Sequence, residues 1–76
     1  MLRVVLDTSV YVSGFLVPHG LPAQVLDAWR AGRFTVLSSP DILDEVRSTL
    51  RKRRIRRRYP IDDGDVDEYV AFIQKR

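Results

Sequence analysis

An acid followed by two hydroxyls, Asp7-Thr8-Ser9, comes directly after the apolar run Val4-Val5-Leu6. Strands of a parallel α/β sheet are covered on both faces and read as continuous hydrophobic stretches, and this run has that character. Ligands in such sheets sit beyond the carboxyl ends of the strands, so Asp7 stands where a ligand would be met. The same acid, or Thr8, equally suits a helix N-cap that accepts from the free N–H groups of the first turn. A second group lies far along the chain. Seven of the eight residues from 51 to 58 are basic: Arg51, Lys52, Arg53, Arg54, Arg56, Arg57 and Arg58. Arginine is suited to bidentate phosphate binding, and phosphate contacts gain affinity by releasing counterions. A solvated helix end explains some of these cations, since positive charge near a helix C-terminus is favourable. Seven exceed what a helix end needs, and their mutual repulsion calls for a compensating partner. Tyr59 adjoins the run, where it can stack on a base or simply pack.

The elements that must position these groups are legible from punctuation and periodicity. Residues 2–6 read as a strand and residues 9–16 as a helix, with Val10, Phe15 and Tyr11 directed at the sheet and Gly14 weakening it. Val17-Pro18-His19-Gly20 reads as a loop with His19 exposed. Pro22 at a helix start and Gly32 just past an end bracket a second helix with Val25, Leu26, Ala28 and Trp29 at helical spacing, Trp29 in the core. Residues 34–38 read as a second buried strand. Ser39-Pro40-Asp41 is a helix start with a hydroxyl cap and a proline at the first position. The third helix carries Ile42, Leu43, Val46 and Leu50 on one stripe, with Glu45 on its border, and Tyr59-Pro60 breaks it. The acidic stretch 62–68 leads into a fourth helix bearing Val66, Tyr69, Val70 and Ile73. Its acids lack the Asp-x-Asp-x-Asp-Gly plan of a calcium loop. The order is β-α-α-β-α-α, an α/β fold in which the helical crossover makes the two strands parallel.

Composition sets the limits. The chain holds 45% apolar and 30% charged residues and a net charge of +3, enough for one small core beneath a soluble surface. Outside the basic run the remaining six basic residues face ten acidic ones, so the body is mildly acidic. The sequence has no cysteine, which excludes disulfides and cysteine zinc sites and fits a reducing, cytoplasmic setting. No apolar stretch approaches the roughly 18–20 residues of a membrane span, and the acid at position 7 interrupts any signal-peptide plan. Two parallel strands leave exposed edges, which pairing with a second chain would cover.

Val4-Val5-Leu6-Asp7-Thr8-Ser9-Val10 together with Ser38-Pro40 leading to Leu43-Asp44-Glu45-Val46 and Leu50 resembles the N-terminal half of a PIN domain, closest to VapC-like toxins. The resemblance covers essentially the whole chain and about half of a typical PIN domain. It implies a three-layer α/β fold of which residues 1–76 are a truncated domain. It also implies a metal-dependent ribonuclease that uses Mg²⁺ or Mn²⁺, with RNA as substrate and an antitoxin as protein partner. By the same resemblance Asp7 and Glu45 are the catalytic metal carboxylates, and Ser9 with Thr8 supports the first acid. The family's remaining acids lie on later strands. Asp62, Asp63, Asp65 and Asp67 do not match them, so the chain is expected to be impaired as an enzyme. The alternative is a non-catalytic module that forms a homodimer and binds nucleic acid or a partner.

Overall fold

In a computed structural model, which describes residues 2–75, two short strands and five helices alternate as expected for an α/β chain. Strand β1 (Arg3–Val5) leads into α1 (Thr8–Leu16), then α2 (Leu21–Arg30) and β2 (Thr35–Leu37). Helices α3 (Pro40–Leu50), α4 (Arg53–Arg58) and α5 (Asp63–Lys75) complete the chain. β1 and β2 pair in parallel with Arg3 opposite Thr35, Val4 opposite Val36 and Val5 opposite Leu37. A further bond from the Thr35 amide to the Leu2 carbonyl, at 2.8 Å, extends the ladder. Because the strands run the same way, α1 and α3 both start at one edge of the sheet.

Local chemistry explains where most elements begin and end. Ser39 is extended and its hydroxyl accepts from the Ile42 amide at 3.3 Å, with Pro40 pre-set at the first helical position. α2 ends on Gly32, whose φ of +79° carries the chain into the left-handed region. There the Arg33 amide reaches the Ala28 carbonyl and the Gly32 amide reaches Trp29, the paired bonds of a Schellman cap. Before α5 the side chains of Asp62 and Asp65 each accept from the other's amide, a reciprocal N-terminal box.

One expected element divides in two. The third helix does not run on to Tyr59-Pro60 but stops at Leu50, and Lys52 is extended before α4 begins. No glycine or proline marks this break. A continuous helix would stack cations at three- and four-residue spacing, where like charges repel. Breaking at Lys52 instead turns Arg56 back so that its Nε donates to the Leu50 carbonyl at 3.3 Å.

The core lies between the helices and one sheet face. Tyr11, Val46, Leu50 and Val66 have no exposed surface, and Leu26, Trp29, Leu43, Tyr69, Val70 and Ile73 close around them. Trp29 is thus a core residue, as its spacing implied. Tyr11 is the fully buried residue of α1, while Val10 and Phe15 are half-buried. The Tyr69 hydroxyl donates to the Tyr11 carbonyl at 2.7 Å, tying α5 to α1, and burial pushes its phenol well above the ordinary range. Phe15 stacks on Tyr69 with ring centroids 4.5 Å apart.

α1 and α2 approach closely at Gly14. A Cβ there would press into the Leu26 side chain and stand 3.3 Å from the Pro22 carbonyl oxygen. Gly14→Ala ordinarily favours a helix by about 1 kcal/mol. Here overpacking should dominate and destabilise the fold by about 1–3 kcal/mol. Urea denaturation measures this, and a variant as stable as the parent would show that Leu26 yields freely.

Candidate metal-carboxylate site

Thr8 is the residue that joins the two sequence-derived acids. Asp7 is the N-cap of α1, and its Oδ1 accepts from the Thr8 amide at 2.9 Å. Its Oδ2 accepts from the Ser9 hydroxyl at 3.0 Å. The Thr8 hydroxyl points elsewhere, donating to Oε2 of Glu45 on α3 at 2.6 Å across 37 residues of sequence. The two hydroxyls therefore divide: Ser9 orients Asp7, and Thr8 orients Glu45. That division had no signal in the sequence, because it depends on how α1 and α3 pack.

Both carboxylates are exposed and both are hard oxygen donors. An ionised carboxylate offers about four lone-pair sites, so the observed bonds leave capacity on each. Mg²⁺ keeps several waters and takes one or two carboxylates, a demand that this pair fits. Among the described residues no group of three or more His, Cys, Asp or Glu side chains is gathered as a metal cluster.

The basic run splits by function of position. Arg51 lies 3.2 Å from Asp67 through Nη2 and 3.6 Å from Asp63 through Nε. Arg56 donates to Asp63 as well, and Arg47 lies 3.9 Å from Asp67. The compensating partner of this run is thus the acidic start of α5. Among the described residues Lys52, Arg53, Arg54, Arg57 and Arg58 form no ion pair. All five are exposed. The Arg56 hydrogen bond, then its charge and that of Arg51, hold the Asp63 carboxyl below the usual carboxylate range. Tyr59 is half-buried, nearer its packing role, and His19 is exposed.

A PIN domain family model matches residues 3–74. The chain belongs to the PIN domain family. It is 36% identical over 45 residues to an uncharacterized protein of Methanocaldococcus jannaschii, a match covering 59% of this chain and 29% of that protein. The chain therefore aligns with under a third of the relative's length. No solved structure matches. PIN domains are nuclease-like and in general depend on a divalent metal. Among the described residues no helix is long and apolar enough to cross a membrane.

Two predictions follow from this geometry. Asparagine caps helices as well as aspartate does, whereas alanine costs about 0.5–2 kcal/mol. Asp7→Asn should keep the thermal midpoint and lose Mn²⁺ binding, while Asp7→Ala should lose both. Calorimetric titration and thermal melts separate them, and undiminished Mn²⁺ binding by Asp7→Asn would leave Asp7 a cap alone. The second concerns acid. A depressed carboxyl stabilises the fold above its unfolded pKa of about 3.9, and that contribution drains away as pH falls through the folded value. Asp63→Asn should lower stability at neutral pH and flatten the loss of stability below about pH 4, read from melts across pH.

Proposed function

We propose that this chain is the metal-carboxylate portion of a PIN ribonuclease of the toxin type, acting on RNA phosphodiester bonds with Mg²⁺ or Mn²⁺. The observation that carries the reading is the Thr8 hydroxyl bond to Glu45, beside an Asp7 that caps α1 by accepting from the same residue's amide. It ties Glu45 of α3 to the residue beside Asp7 at the edge of a parallel sheet. A metal held there would lower the pKa of a bound water and offset charge on the phosphate under attack. Asp7 and Glu45 would be its protein ligands, with Ser9 and Thr8 fixing their orientation. Lys52, Arg53, Arg54, Arg57 and Arg58 would hold RNA, while Arg51 and Arg56 keep α4 against α5. With two carboxylates, the chain by itself cleaves slowly or not at all. The toxin reading carries an antitoxin protein as partner and a cytoplasmic site of action.

RNA affinity of the purified chain should fall steeply with salt. Any cleavage in Mg²⁺ or Mn²⁺ should stop on chelation and in Asp7→Asn. Cleavage that persists in Asp7→Asn removes Asp7 from the mechanism, and salt-insensitive RNA affinity removes the basic run from the interface.

A second reading is a non-catalytic module that pairs with another copy and binds nucleic acid. The outward residues of the sheet favour it: Val5 and Leu37 are 67% and 48% exposed, side by side in the ladder. Sedimentation should then show a dimer, and a folded monomer at micromolar concentration defeats the idea.

A further inference from the structure

The outward stripe of α3 changes character along its length. Asp41, Asp44, Glu45, Ser48, Thr49 and Lys52 line one open groove of about 710 Å³. Asp41, Asp44, Glu45, Ser48 and Thr49 fall three or four residues apart on one face of α3, and Lys52, extended just past the end of that helix, closes the groove. Acids occupy its start, hydroxyls its middle and a cation its end. No hydrogen bond engages the Ser48 or Thr49 side chain among the described residues, and Lys52 has no ion pair there. We propose that Ser48, Thr49 and Lys52 form a phosphate subsite that seats the RNA strand beside the Asp7–Glu45 pair. The proposal rests on the ribonuclease reading and adds two residues to it, Ser48 and Thr49, beside the Lys52 already placed on RNA.

Geometry sets what the subsite does. Ser48 and Thr49 stand one turn beyond Glu45, about 5–6 Å between neighbouring Cβ atoms. Side chains on a helix lean toward its N-terminus, so both hydroxyls lean from the Lys52 end toward Glu45. One turn of α3 rises about 5.4 Å, of the order of the separation of adjacent phosphates on one strand. The subsite therefore holds a phosphate next along from the one offered to the carboxylates. The negative end of α3 does not oppose this strongly, because its last carbonyls are already bonded. The Arg51 amide takes those of Arg47 and Ser48, and the Lys52 amide takes that of Thr49. Asp41 and Asp44 repel phosphate from the other half of the groove, which confines it to the hydroxyl and lysine end. Beyond Lys52 the strand meets the unpaired Arg53 and Arg54 of α4.

The test is fluorescence anisotropy of a short labelled single-stranded RNA with the full chain, across a salt series. Ser48→Ala/Thr49→Val removes hydroxyls but no charge. It should weaken binding about tenfold and leave the salt slope unchanged. Lys52→Gln should reduce the slope by about 0.7, the value for one phosphate contact on a single strand. Arg33→Gln removes the same charge from a distant exposed site and should leave affinity and slope near those of the parent. The exposed Lys52→Gln variant keeps the test intact if the double variant folds poorly. Parent-like binding by Ser48→Ala/Thr49→Val, or a Lys52→Gln slope equal to that of Arg33→Gln, overturns the subsite alone. A parent chain that binds no RNA overturns the subsite together with the ribonuclease reading.

Discussion

Parallel pairing of β1 with β2 is the constraint on which the rest of the structure depends. Two strands running the same way end at the same edge, and each is followed by a connection that starts a helix there. Asp7 closes the first strand, and Ser39-Pro40 opens α3 after the second. Glu45 lies just over a turn into α3, close enough for Thr8 to bond it at 2.6 Å. An antiparallel pairing would send the two helix starts to opposite ends and separate the acids by the length of the sheet. The site is therefore a product of topology first and of side-chain choice second.

Charge does a second job, at the other end of α3. Exposed ion pairs are worth little individually, and α4 has no fully buried residue of its own. What holds it is a set of short-range restraints acting together. Arg51 and Arg56 converge on Asp63 and Asp67, and the Leu50 carbonyl accepts from Arg56. Ile55 is half-buried beside them. The cations turned inward neutralise the acidic start of α5, and those left outward keep their field for solvent or for a polyanion. One dense basic run thus meets the acidic start of α5 with some residues and leaves the others exposed.

Much of this was legible in the sequence, and the parts that were not share a cause. The strand positions, the capped starts of α1 and α3 and the Pro–Gly brackets of α2 follow from local pattern and came out where pattern placed them, whereas Val25, Val5 and Leu37 are exposed where their stripe or apolar run pointed inward. Trp29 and Leu26 were readable as core because their spacing matched one helix face. The break at Lys52 was not readable, because no glycine or proline marks it and the contacts that accompany it, Arg56 with the Leu50 carbonyl and with Asp63, come from the assembled fold. The Thr8–Glu45 bond was equally hidden. Nothing near Thr8 announces which acid its hydroxyl will find, and only the packing of α1 on α3 decides it. Local chemistry speaks through caps and periods, whereas long-range pairing is fixed by the assembled fold.

The same reasoning bears on the open side of the sheet. Val4 and Val36 face the core as a pair, so Val5 and Leu37, one residue on, must face away as a pair. Parallel sheets are normally buried on both faces, and this one is covered on one. The carboxylates beside it, Asp7 and Glu45, are likewise exposed. Both features lie at the end of the same two strands. An apolar face and a two-carboxylate site that adjoin each other would be served by one contact, since protein packed over Val5 and Leu37 would bring its side chains to the edge where Asp7 and Glu45 stand. The physical demand on such a contact is set by the sheet itself: apolar side chains over the exposed valine–leucine pair.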